Sequence, residues 1–177
     1  LAYTNHISMD IDEAARILKN LLDYSVQIRV FGLKKVAVAF SGGVDSSIVA
    51  YLAKKYCPNV NLIHVSLENQ FETQEASEAA KELGLPLYVH LFKETDVELT
   101  IPKVLELIEE ADPLKVNVGI PFYWAAQKTA EAKLQVLLAG QGADELFGGY
   151  QRYVKQYLIS GDEKVRQTMF NDVAKVY

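Results

Sequence analysis

The chain carries one cysteine, Cys57, in 177 residues. A single thiol excludes a disulfide framework and a cysteine-built structural zinc site within one copy. Its expected place is as a small buried apolar side chain. Long apolar runs are missing too: none reaches the roughly 18 residues a membrane span needs. The first 30 residues hold too many acids for a secretory signal. A cytoplasmic location without a membrane partner is therefore expected. Basic charge is scarce, with 18 Lys and Arg against 23 Asp and Glu and a formal net charge of -5. No basic stripe appears, which argues against a nucleic-acid partner, whose phosphates are held mainly by clustered Lys and Arg.

What is present suits a soluble domain, with 50% hydrophobic and 23% charged residues. This length buries about two-thirds of the unfolded surface in one core, so residues 1–177 are expected to form a single domain. Within it, 1–34 read as an N-terminal helix, 35–150 as an α/β core and 151–177 as a helical tail. Asp10 with Glu13 resembles a capping box, and Ile11, Ala14, Leu18, Leu21 and Leu22 recur at helical spacing up to Gly32. VAVAF (36–40), NLIHVSL (61–67), LYVHLF (87–92) and VLLA (136–139) read as strands. Helices are expected from about Ser46 to Tyr56, from a Thr73 cap to Gly84, through Ile101, Val104, Leu105 and Ile108, and around YWAAQKTAEAK. QRYVKQYLIS and EKVRQTMFNDVAKVY, parted by Gly161, read as two more.

Alternating strands and helices of this length imply βαβ units. The expected fold is α/β: a parallel sheet of about four to five strands, helices on both faces, right-handed crossovers and a helical C-terminal segment. Ligands of such sheets gather beyond the carboxyl ends of the strands, near a switch in strand order. Two glycine-rich segments are placed there, SGGVDSS (41–47) after the first strand and GQGADELFGGY (140–150) after the fourth.

Gly42 and Gly43 tolerate positive φ and close approach, so successive backbone N–H groups can converge on an anion. The helix beginning beside them adds its free N–H donors and positive dipole end. Ser41, Ser46 and Ser47 offer hydroxyls. The ligand these features call for is phosphate. Asp45 would repel it without an intervening cation, and the acid therefore implies Mg²⁺, an ion that favours oxygen ligands and keeps phosphate and water in its shell.

Other readings fit less well. A Walker A loop requires a Lys that SGGVDSS lacks, and GQGADE has Glu145 where a dinucleotide fingerprint needs a third glycine. His6, His64 and His90 show no motif that pairs them with Ser41 or Ser46 as a hydrolase base, and the two in strands read as structural. As a plain strand-to-helix turn with a good N-cap, SGGVDSS would not call for two glycines plus an acid.

SGGVDSS after a strand resembles the PP-loop of the ATP pyrophosphatases, and VLLAGQGADELFGGYQRY resembles LSGEGADELFGGY of the asparagine synthetase family, about a hundred residues further on. The resemblance runs from about residue 10 to 155. It implies ATP and Mg²⁺ as cofactors. Ser41, Gly42, Gly43, Asp45, Ser46 and Ser47 would hold the β,γ-phosphates, and Asp45 and Asp144 would share the metal. Ala39, Phe40, Val65 and Gly140 would line the adenosine site, and Asp45, Asp144, Glu145 and Gln141 are the candidate catalytic residues. Gly148 and Gly149 would fix the second loop. The implied reaction is carboxylate activation, in which adenylation releases pyrophosphate and ammonia or another amine then displaces AMP.

Three departures from the family accompany this reading. Gln141 stands where asparagine synthetases have Glu and β-lactam synthetases Tyr, and an amide cannot serve as a general base. The glutaminase domain with its terminal Cys is not in the chain, so nitrogen is expected from free ammonia, another amine or a partner subunit. The family's pyrophosphate-steadying lysine is not placed either: Lys155, Lys164 and Lys175 read as solvated helix surface. An ATP-binding regulatory or assembly module without turnover is the alternative function, and tRNA thiolation fits poorly with one cysteine and net negative charge. Tyr150, Tyr153, Tyr157 and Phe170 are expected to pack on the sheet rather than to face a partner or a second copy.

Overall fold

The computed structural model describes residues 9–176. His6 and the side chain of Lys175 lie outside the described residues. The first helix, α1 (Ile11–Val30), turns Leu22, Val26 and Val30 to the core at a spacing of four residues. Asp10 stands at its N-cap without a side-chain cap hydrogen bond, so the capping box expected with Glu13 does not form. The first turn instead relies on Asp12 and Glu13 beside the positive end of the dipole.

Four strands form one sheet: β1 (Val36–Ala39), β2 (Val60–Leu67), β3 (Leu87–Phe92) and β4 (Leu137–Leu138). Their order is β3-β2-β1-β4 and every pairing is parallel. The order reverses at β1, which lies between β2 and β4. The last strand is shorter than VLLA, although Ala37 N also donates to Val136 O at 3.0 Å and lengthens the join.

The helices between and after the strands are α2 (Val44–Tyr56), α3 (Glu72–Leu83), α4 (Glu94–Ile108), α5 (Pro113–Glu131), α6 (Ala143–Phe147), α7 (Gln151–Ser160) and α8 (Asp162–Val176). Strand periodicity of two sorts side chains between two layers. Val36, Val38, Phe40 and Leu62 join α1, α2 and α3 on one face, with Ala50, Ala53, Ala76 and Cys57. Ala37 and Ile63 meet Ala125 of α5 on the other. Beyond them Val104, Ile120 and Trp124 pack α4 on α5, and Trp124 stacks on Phe92 at 4.0 Å. Helices cover both faces at β1 and β2, as their continuous apolar runs require, while the edge strand β3 leaves Tyr88, Val89 and Leu91 exposed.

Three local expectations are corrected. Thr73 is not a cap: α3 starts at Glu72 with Phe71 at its N-cap, and the Thr73 hydroxyl lies 3.3 Å from His64 Nε2. α5 begins well before YWAAQKTAEAK, because Asp112 Oδ1 accepts from Leu114 N at 2.8 Å and Pro113 occupies the first helical turn. The C-terminal aromatics do not form one sheet-facing set. Buried Tyr153 donates to Asp172 across the α7–α8 contact, Tyr157 is 55% exposed, and Tyr150 turns to the cavity described below. Lys155 and Lys164 are exposed, as expected.

The α4–α5 contact is close at Gly119, where an added Cβ would sit 2.7 Å from Val104 Cγ1. Gly119→Ala is expected to cost about 1–3 kcal/mol by overpacking. In that background Val104→Ala should recover part of the loss, a non-additive result readable in urea midpoints.

Candidate functional site

At the carboxyl ends of β1 and β4 the chain opens a cavity of about 340 Å³, within the range of small-molecule sites. Both glycine segments reach it. The first contributes Ser41, Asp45 and Ser46 after Ala39 and Phe40 of the strand end; the second contributes Gly140, Gln141, Gly142, Asp144, Glu145 and Tyr150 after Ala139. Val65, at the end of β2, lines it as well. Gly42, Gly43 and Ser47 are not on its wall.

Gly42 has φ +85°, and an added Cβ would lie 2.7 Å from Ala76 Cα and 2.8 Å from Ala76 N. The loop therefore crosses the backbone of α3 with no room for a side chain. Its turn is held internally: Ser41 Oγ and Ser46 Oγ are 3.2 Å apart, Gly43 N donates to Ser41 Oγ at 3.3 Å, and Ser46 Oγ donates to Gly43 O at 3.1 Å. Gly43 is the N-cap of α2, yet no side chain caps that helix. Its first-turn N–H donors therefore have no side-chain acceptor, and Asp45 and Ser46 of that turn line the cavity.

The two glycine turns touch. An added Cβ at Gly140 would meet Asp45 C and Cβ at 2.9 Å and Ser46 N at 3.1 Å. At Gly149 it would fall 1.8 Å from Asp144 Oδ1, so the absence of a side chain there sets where that carboxylate lies. The carboxyl of Asp45 is pushed above the ordinary carboxylate range, first by burial and then by the negative charge of Asp144. Two acids repel each other beside a helix N-terminus.

Glu145 is 7% exposed. Its Oε1 accepts from the Tyr150 hydroxyl at 2.8 Å, while its buried Oε2 has no hydrogen-bond partner among the described residues. Burial and this bond push the Tyr150 phenol up to about 12, so at neutral pH it stays a donor. Tyr150→Phe is expected to cost about 1–3 kcal/mol, because Glu145 would lose its hydroxyl donor inside the protein. Thermal unfolding checks this, and Glu145→Gln in the same background should return part of the loss.

These features fit a divalent cation. Two carboxylates, Asp45 and Asp144, share a space with mutual repulsion, and both line the cavity at the start of α2. No cluster of three or more His, Cys, Asp or Glu side chains able to hold a metal occurs among the described residues. A hard ion here would depend on further oxygen ligands, which a polyphosphate supplies.

Glu72, Pro121, Phe122 and Ala125 line the cavity without a sequence signal, and His64, expected to be structural, lines it as well. Pro121 and Phe122 belong to the unexpected first half of α5, and Tyr150, expected to pack on the sheet, faces the cavity instead. Only the PP-loop-like strand end pointed toward His64, one residue before Val65.

The fold and the paired turns define a parallel α/β class that solved structures share. The chain is similar to the NH3-dependent NAD synthetase of Campylobacter jejuni, with TM-score 0.52 and 18% identity over 81% of this chain and 62% of that one. It is similar also to the glutamine-dependent NAD+ synthetase of Acinetobacter baumannii in complex with ADP, with TM-score 0.57 and 16% identity over 83% of this chain and 29% of that one. The asparagine synthase family model matches residues 18–174, and the chain belongs to that family. A glutamine-hydrolysing asparagine synthetase homologue of Methanocaldococcus jannaschii is 43% identical over 166 residues, 94% of this chain and 30% of the relative. Asparagine synthetase 1 of Bacillus subtilis is 29% identical over 161 residues, 90% of this chain. The chain thus spans 30% and 25% of the lengths of these two relatives. Among the described residues, no helix is long and apolar enough to cross a membrane.

Proposed function

We propose that the chain is the ATP-handling part of a carboxylate–amine ligase that forms AMP and pyrophosphate. The observation that carries this reading is the contact of the two glycine turns at Gly140, with Asp45 and Asp144 facing one cavity beside the uncapped start of α2. Backbone N–H groups of the 41–47 loop and the Ser41 hydroxyl would take the β,γ-phosphates, with Ser46 holding the turn and Ser47 standing off the cavity wall. Ala39, Phe40, Val65 and Gly140 would border the adenosine.

Asp45 and Asp144 would hold Mg²⁺, which when bound screens phosphate charge from both acids. The residues otherwise position reactants. A substrate carboxylate oxygen bonds to the α-phosphorus as the bond to the bridging β-oxygen breaks, and pyrophosphate leaves. The amine nitrogen then bonds to the acyl carbon, AMP leaves with the electron pair, and the nitrogen gives up a proton. Gln141 faces the cavity as an amide, so it can orient the amine by hydrogen bonds but cannot take that proton.

Members of the family known as asparagine synthetases supply the substrate class to try first. ATP–pyrophosphate exchange measured against a panel of amino acids, with and without ammonia, tests the reading. Exchange that depends on one carboxylic acid supports a ligase. ATP binding with no exchange against any acid favours the regulatory or assembly module instead.

A further inference from the structure

We infer that His64 is a positioning residue that locks the first peptide of the phosphate loop. Its purpose rests on the nucleotide reading above; its geometry does not. His64 is 2% exposed within β2, level with the loop that follows β1, and lines the cavity. Nδ1 lies 2.8 Å from the carbonyl oxygen of Phe40, and Nε2 lies 3.3 Å from Thr73 Oγ1 on α3. A carbonyl only accepts, so Nδ1 carries a hydrogen and donates. Nε2 then accepts from the Thr73 hydroxyl when the ring is neutral.

The bond reaches the one peptide where direction matters most. Phe40 N already donates to Ile63 O at 2.9 Å, and with His64 on its carbonyl both backbone groups of Phe40 are tied to β2. The peptide between Phe40 and Ser41 is planar and trans, so its C=O and N–H point in opposite directions. Holding the carbonyl toward β2 turns Ser41 N–H to the other side, where it faces Ser46 Oγ at 3.3 Å within the turn. A flipped peptide would set an oxygen against Ser46 Oγ in place of a hydrogen and open the turn that shapes the loop.

The far end of the ring anchors the same device. Thr73 lies one turn before Ala76, the residue whose backbone abuts Gly42. α3 is therefore fixed to the loop at two points, through Thr73–His64–Phe40 and through Ala76–Gly42. The histidine joins strand end, loop and backing helix in one chain of contacts.

The test compares His64→Leu, which removes the donor, with His64→Asn, whose side-chain amide can replace Nδ1. Binding of ATP with magnesium and of adenosine is measured by calorimetry on the full chain. His64→Leu is expected to weaken ATP about tenfold, the worth of one buried hydrogen bond, with adenosine unchanged and His64→Asn close to wild type. Thr73→Val should weaken ATP in the same direction by less, and serves where His64→Leu does not fold. Nitrogen NMR of the unliganded chain should find the His64 proton on Nδ1, and the Ser41 amide signal should move in His64→Leu but not in His64→Asn. Unchanged ATP affinity in His64→Leu, equal loss of ATP and adenosine, no rescue by Asn, or a proton on Nε2 alone overturns the lock. Wild-type protein that takes up no ATP sinks the nucleotide reading, and the NMR arm then still decides the lock.

Discussion

Gly42→Ala lowers the thermal midpoint and removes nucleotide binding together, whereas Gly43→Ala leaves stability nearly unchanged. Both glycines stand side by side in one motif, so the contrast isolates geometry. At Gly42, φ is +85°, where an L side chain costs roughly 1–2 kcal/mol. The new Cβ also lands 2.7 Å from Ala76 Cα, a backbone atom inside a helix that cannot swing away. Overpacking adds about 1–3 kcal/mol. At about 2–4 °C per kcal/mol for a chain of this size, the sum corresponds to a loss of roughly 4–20 °C. Gly43 has φ -69°, and an added Cβ there would meet only Ser41 Oγ, at 3.3 Å. Ser41 Oγ, on an exposed side chain, needs to give by only a few tenths of an ångström. Calorimetric melting of the two variants, followed by ATP titration of each, checks the prediction.

Asp144→Asn separates stability from binding in the opposite sense. Without ligand, Asp45 and Asp144 repel across the cavity, and burial and this repulsion raise the Asp45 carboxyl in the folded chain. A raised native value means that the folded state holds its proton to higher pH than the unfolded state. Stability therefore falls as pH rises from the ordinary carboxylate value through the raised one, and stays lower above it. Removing the Asp144 charge narrows that window, so the ligand-free variant at neutral pH should melt no lower than wild type and its acid-side slope should flatten. Its binding of ATP with magnesium should weaken by about 2–5 kcal/mol, roughly thirtyfold or more, since the other acid and the phosphates would share an incompletely held cation. A variant that melts lower and binds normally would contradict both halves.

The sheet was legible because its strands are short, apolar and bounded by turn residues, and because β4 could be placed by the glycine segment that follows it. Helix starts were harder. Asp10 and Thr73 are both good capping types, yet Asp10 makes no cap hydrogen bond and the Thr73 hydroxyl meets His64 on β2, the strand that α3 packs against. Tertiary contact outweighed local preference there. The first half of α5 was hidden by Pro113 and Pro121, one of which is favoured at a helix start.

In the site, Asp45 and Asp144 stood out since acids beside glycine turns need a reason, and the structure brings both to one cavity. Gly42 was recognised for its freedom of φ, but its close approach to Ala76 depends on how α3 packs, which no local pattern encodes. Tyr150 closes the GQGADELFGGY segment and His64 belongs to no motif, but neither residue's role can be read from its neighbours in sequence. Their roles come from partners, Glu145 in one case and the Phe40 carbonyl in the other, which only the fold brings within reach.

Titration of ATP into the chain with and without saturating magnesium, repeated with Asp45→Asn and Asp144→Asn, tests the shared phosphate–metal site most directly. Saturable uptake that needs magnesium and weakens sharply in each variant is the expected result. No uptake by the wild type, or uptake indifferent to magnesium and to both aspartates, would contradict it.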